Sequence, residues 1–70
     1  MNSQNGNIIG KYIQFKLDDN TVYLNPDYVT WFRYDNQIDR TEFGFVGTTE
    51  KYFADGDISS LLVKQGISNR

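Results

Sequence analysis

Apolar and polar residues alternate along residues 12–17, with Ile13, Phe15 and Leu17 on one face and Gln14 and Lys16 on the other. That period of two is the signature of a half-buried strand. Asp18, Asp19 and Asn20 follow. Their side chains hydrogen-bond local backbone and tolerate left-handed conformations, so a hairpin is expected there. Its second strand covers residues 21–24, with Val22 and Leu24 toward the core and Tyr23 facing away. Asn25-Pro26-Asp27 then turns the chain, because proline offers no ladder donor, and a short helical turn fits this position.

Residues 29–34 are strong strand formers, with Val29, Trp31 and Arg33 on one face and Thr30, Phe32 and Tyr34 on the other. Aromatics on both faces point to a central strand or one at an interface. A polar loop over residues 35–40 is interrupted only by Ile38. Alternation resumes over residues 41–46, where Phe43 and Phe45 lie opposite Glu42 and Val46. After the connection Gly47-Thr48-Thr49, residues 50–53 read as a fifth strand. The ending changes period: Ile58, Leu61 and Leu62 share one helix face, Asp57 suits an N-cap, Lys64 suits the negative helix end, and Gly66 suits a stop.

The pattern predicts an α+β, mainly β domain, a five-stranded antiparallel meander with a short C-terminal helix packed on it. The sheet could stay open or curl into a small SH3-like barrel, and Gly44 within a strand favours bending. Residues 1–10, rich in Asn, Gln, Ser and Gly, are expected as a flexible tail, residues 11–67 as the single domain and residues 68–70 as a C-terminal tail.

Composition narrows the chemistry. The chain has neither histidine nor cysteine, whereas eleven of its 70 residues are Phe, Tyr or Trp. The commonest general base, the thiol nucleophile and the best transition-metal ligands are therefore missing. A net charge of −2 with no block of like charge recruits neither DNA nor an anionic membrane by electrostatics alone. Without a basic start and apolar run at the N-terminus, or any apolar stretch near the roughly 20 residues of a membrane span, a soluble cytoplasmic protein is expected.

The ionisable clusters are Asp18-Asp19, Asp35 with Asp39, and Asp55 with Asp57, all in expected turns, where Asp is ordinary. Residues 35–40 fail as a calcium loop because Arg40 stands where an EF-hand needs glycine. Ser60 and Lys64 are four apart, which is a helix-surface pair rather than an S-x-x-K motif, and Gly44 and Gly47 form no phosphate-binding pattern. No catalytic residue, metal or cofactor is assigned, and a non-enzymatic role is expected.

A surplus of aromatics beyond one core face must be covered by the helix or by another chain. Trp, Tyr and Arg also dominate binding hot spots. The leading expectation is a module that binds a protein partner or itself through Trp31, Phe32, Arg33 and Tyr34, with Tyr23 alongside. Trp31 could equally be the centre of the core. The alternative is single-stranded nucleic-acid binding, with bases stacked on an aromatic sheet face and Tyr12, Lys16 and Arg33 in contact.

Residues 13–63 resemble the small swarming-motility proteins of the flagellar FlbD type. The resemblance rests on the turn Asp18-Asp19-Asn20, the run Val22-Tyr23-Leu24-Asn25-Pro26-Asp27-Tyr28-Val29, two further strands and the pair Leu61-Leu62. It implies a non-enzymatic accessory role linked to flagella. The chain departs from the family at Asn20, where glycine is usual, in the loop over residues 35–40 and in the Asn-rich start.

Overall fold

The computed structural model describes residues 6–70. Among the described residues seven strands form two open sheets: β1 (Asn7–Ile9), β2 (Tyr12–Leu17) and β3 (Asn20–Leu24) in one, and β4 (Val29–Asp35), β5 (Arg40–Phe45), β6 (Lys51–Asp55) and β7 (Ser68–Asn69) in the other. A short helix, α1 (Ser59–Lys64), lies between β6 and β7. The mainly β character with one short helix matches the sequence pattern; the five-stranded meander does not. Asn7–Ile9, placed in the N-terminal tail by composition, pairs antiparallel with β2. Ser68–Asn69, placed in the C-terminal tail, pairs parallel with β4. Neither segment is long enough to show periodicity, and each is a strand only because a neighbour offers a ladder. Residues 1–5 of the expected tail lie outside the described residues.

The hairpin between β2 and β3 turns on Asp18 and Asp19, both with positive φ (50° and 69°). This two-residue geometry matches the twist of the flanking strands. A 3-10 turn at Pro26–Tyr28 follows, opened by the Asn25 side chain, which accepts from the Asp27 N–H at 3.0 Å. That turn carries the chain from the first sheet to the second.

In β4 the ladder to β5 slips between Val29 and Trp31. Val29 and Phe32 are both buried, while Trp31 and Arg33 face outward. An unbroken strand would have put Val29 beside Trp31; one extra residue moves it to the core side. The core gathers Ile13, Phe15 and Leu24 from the first sheet, Val29, Phe32, Phe43 and Ala54 from the second, and Ile58, Leu61 and Leu62 from the helical segment. Phe15 meets Phe43 edge-on at 5.8 Å between ring centroids, which joins the two sheets.

The helix begins one residue later than its sequence suggested. Ile58 occupies the N-cap without a side-chain hydrogen bond, and the Asp57 carboxylate accepts from the Ser59 N–H at 2.9 Å. Asp57 thus still satisfies a first-turn donor, as an Asx turn rather than a cap. Gly66 closes the helix as expected, with φ of 80° and the Ile67 N–H returning to the Leu62 carbonyl at 3.2 Å.

Candidate functional site

Two surfaces stand out, and they meet at Lys51, which lines both. The first is a groove between β3 and the β5–β6 hairpin. Phe15, Leu17, Val22, Leu24, Phe43 and Phe45 line a hollow of about 460 Å³ that opens to solvent, with Tyr23 and Tyr52 also contributing. Phe45 and Tyr52 tilt against each other at 4.8 Å between centroids. A second, shallower depression continues from it past Tyr23, Tyr28 and Val46. These three side chains are more than half exposed, so the apolar surface runs from the core to solvent, with Lys51 and Asn25 as polar residues along it. The groove exists because β3 ends one sheet and β6 ends the other, and the ladders do not close into a barrel.

A charged clasp holds the two sheets together at another point. The Arg40 guanidinium reaches Asp18 Oδ1 at 2.7 Å and Asp55 Oδ1 at 3.1 Å. Asp55 Oδ2 in turn accepts from the Asp18 N–H at 2.8 Å. The turn carboxylates therefore join the β2–β3 hairpin tip to the end of β6. Nearby, the Tyr34 hydroxyl donates to Asp39 Oδ1. That bond, together with desolvation and the charges of Asp39, Asp57 and Asp35, pushes the phenol up to about 12. Tyr52, whose hydroxyl donates to Glu50 at 3.0 Å, is also raised, first by that hydrogen bond and then by the carboxylate charge.

The second surface is the outer face of β4, β5 and β6. Trp31 is opposite Gly44, and Arg33 is opposite Glu42. Glu42 is nearly buried, its side chain 10% exposed, and both carboxylate oxygens are engaged: Oε1 with Arg33 Nη2 at 3.0 Å and Oε2 with Lys51 Nζ at 3.4 Å. The Arg70 guanidinium lies over the Trp31 ring, 5.1 Å from its centroid. The main chain of this residue is anchored to β4, because the Arg70 backbone N–H donates to the Phe32 carbonyl at 2.7 Å. These five residues enclose a hollow of about 180 Å³.

The expected docking residues are thus divided. Trp31 and Arg33 share the outer face; Phe32 is fully buried, and Tyr34 is half-buried and turned to the same side as Phe32. Tyr23 lies on the first sheet, opposite Gln14, which donates to its hydroxyl at 3.0 Å. Tyr12 and Lys16 share the outer side of β2 with Gln14, whereas Arg33 belongs to the other sheet. Glu42, Lys51 and Arg70 escaped sequence reasoning as site residues. A signal existed in the β4–β5 register, which pairs Arg33 with Glu42, but strand order is needed before it can be read. Gly44, expected to bend its strand, instead makes room for the Trp31 indole: a Cβ at this position would lie 2.2 Å from Nε1.

Among the described residues no helix is long and apolar enough to cross a membrane. No family model, curated protein or solved structure matches the chain.

Proposed function

We propose that this chain is a small non-enzymatic module that binds a protein partner, or a second copy of itself, through the apolar groove between the two sheets. The observation that carries this reading is the continuity of the groove from core residues such as Phe43 to the exposed side chains of Tyr23, Tyr28 and Val46. Apolar surface of this kind gains free energy when covered. The flanking edge strands β3 and β6 add unpaired backbone that an incoming strand could use. Tyrosine is also a favoured contact residue, since its ring supplies area and its hydroxyl stays hydrated.

The nucleic-acid alternative has less behind it, because Tyr12 and Lys16 are on a different sheet from Arg33 and form no single aromatic platform with it. The FlbD-type resemblance fits an accessory module of this sort without naming its partner.

The test uses Tyr23→Lys with Val46→Lys, two exposed positions whose change spares the core. Light scattering on the purified chain and capture of partners from the native host are compared between the wild type and the double variant. Assembly or capture lost with the circular dichroism spectrum retained supports the groove. Identical behaviour of both proteins rejects it.

A further inference from the structure

The outer face of β4–β5–β6 gathers charged side chains in an arrangement that the groove reading does not require. Three of the seven basic residues, Arg33, Lys51 and Arg70, converge there around one carboxylate, Glu42. The side chains at the hollow sum to +2, against a net charge of −2 for the chain, so the remainder is acidic by four charges. This concentration of cations follows from the β4–β5–β6 register, which sets Arg33 opposite Glu42 and Lys51 opposite Gly44.

Glu42 does not simply cancel its neighbours. With its side chain only 10% exposed, it holds Arg33 and Lys51 from below, while those two remain 55% and 59% exposed. Each cation keeps donors directed away from Glu42, since a guanidinium has five N–H groups and an ammonium three. The Arg70 guanidinium lies over the Trp31 ring, 5.1 Å from its centroid, and a guanidinium offers paired N–H donors to a planar carboxylate. Fixing these long side chains before binding removes part of the entropy that an anion would otherwise have to overcome.

We propose that this hollow binds the carboxylate side chains of an acidic peptide segment in a protein partner. Its size and surroundings favour that occupant over nucleic acid. About 180 Å³ admits a carboxylate with a short stem. The Trp31 ring has Arg70 over it and Gly44 against its pyrrole part, which leaves little open surface for the base stacking on which single-strand binding depends. Beyond three cations the chain is acidic and repels a long polyanion.

Trp31 is the only tryptophan, so its emission reports on this site without a label. The probe is an end-blocked peptide of alternating Glu and Ala, compared with the same peptide carrying Gln in place of Glu and with a thymidine homopolymer. The expected result is a saturable change in Trp31 emission with the Glu peptide alone, weakened by salt and reduced about tenfold in affinity by Lys51→Gln or Arg70→Gln. Tyr23→Lys with Val46→Lys should leave this response intact, which separates it from the groove. An equal response to the Gln peptide, no response to the Glu peptide, or tighter binding of the oligonucleotide overturns the proposal. A change that follows protein concentration without peptide also overturns it, by assigning the hollow to a second copy.

Discussion

Gly44 and Trp31 face each other across the β4–β5 ladder so closely that an alanine methyl at 44 would sit 2.2 Å from the indole nitrogen. The glycine is there for its missing side chain. Gly44→Ala should drive the indole off β5 at a cost of about 1–3 kcal/mol, the usual range for overpacking. Urea denaturation gives the loss, and a red shift of Trp31 emission in the native state gives its cause. An unshifted spectrum would mean that β5 moves instead of the ring.

Trp31 and Phe43 should behave differently when truncated. Phe43 is 2% exposed and touches Phe15, Phe45 and Tyr52, so Phe43→Ala should cost about 3–5 kcal/mol. A domain of this size has roughly 4–10 kcal/mol in total, and the variant should be largely unfolded at moderate temperature. Trp31 is half-buried on the outer face, and Trp31→Ala should keep the fold with a loss of about 1–2 kcal/mol. Far-ultraviolet circular dichroism of both variants checks this; unfolding of Trp31→Ala would place that residue among the core supports.

Thr41 is buried completely, and its hydroxyl does two jobs: it donates to the Gly56 carbonyl at 2.9 Å and accepts from the Ile58 N–H at 3.1 Å. It thereby fixes the entry to α1 against β5. Thr41→Val keeps the shape and strands both backbone groups, for a loss of about 2–4 kcal/mol. Thr41→Ser keeps both bonds and should cost markedly less. Equal destabilisation by the two would deny the hydroxyl this role.

Arg40 bonds to Asp18 and Asp55 in a partly exposed network. Arg40→Gln should cost about 1 kcal/mol, with the difference from wild type shrinking as salt is added. Thermal melts at low and high ionic strength measure both. A difference independent of salt would trace the effect to packing of the arginine stem.

The Tyr34 phenol is raised from 10.0 to about 12. The native state therefore keeps a proton that the unfolded chain releases near pH 10. The stabilisation from this group is complete below pH 10 and is lost as pH rises toward 12. Spectrophotometric titration should show one late step among the five tyrosines that disappears in Tyr34→Phe, along with an upward displacement of Tyr52. A Tyr34 that titrates with the rest would mean that its bond to Asp39 is absent in solution.

What the sequence determined by itself is local. The alternation of Ile13, Phe15 and Leu17, the Asp18-Asp19 turn, the 3-10 turn at Pro26, the apolar spacing of Ile58, Leu61 and Leu62 and the stop at Gly66 all depend on neighbours within a few residues, where backbone preference and periodicity act directly. The tertiary structure decided the rest. Asn7–Ile9 and Ser68–Asn69 become strands because β2 and β4 have free edges to pair with. Val29 joins Phe32 in the core, instead of lying beside Trp31 and Arg33, because the β4–β5 ladder slips beside Thr30. The apolar groove and the cationic hollow both come from strand order and register, which bring together residues up to tens of positions apart, and no period along the chain encodes which strand will lie beside which.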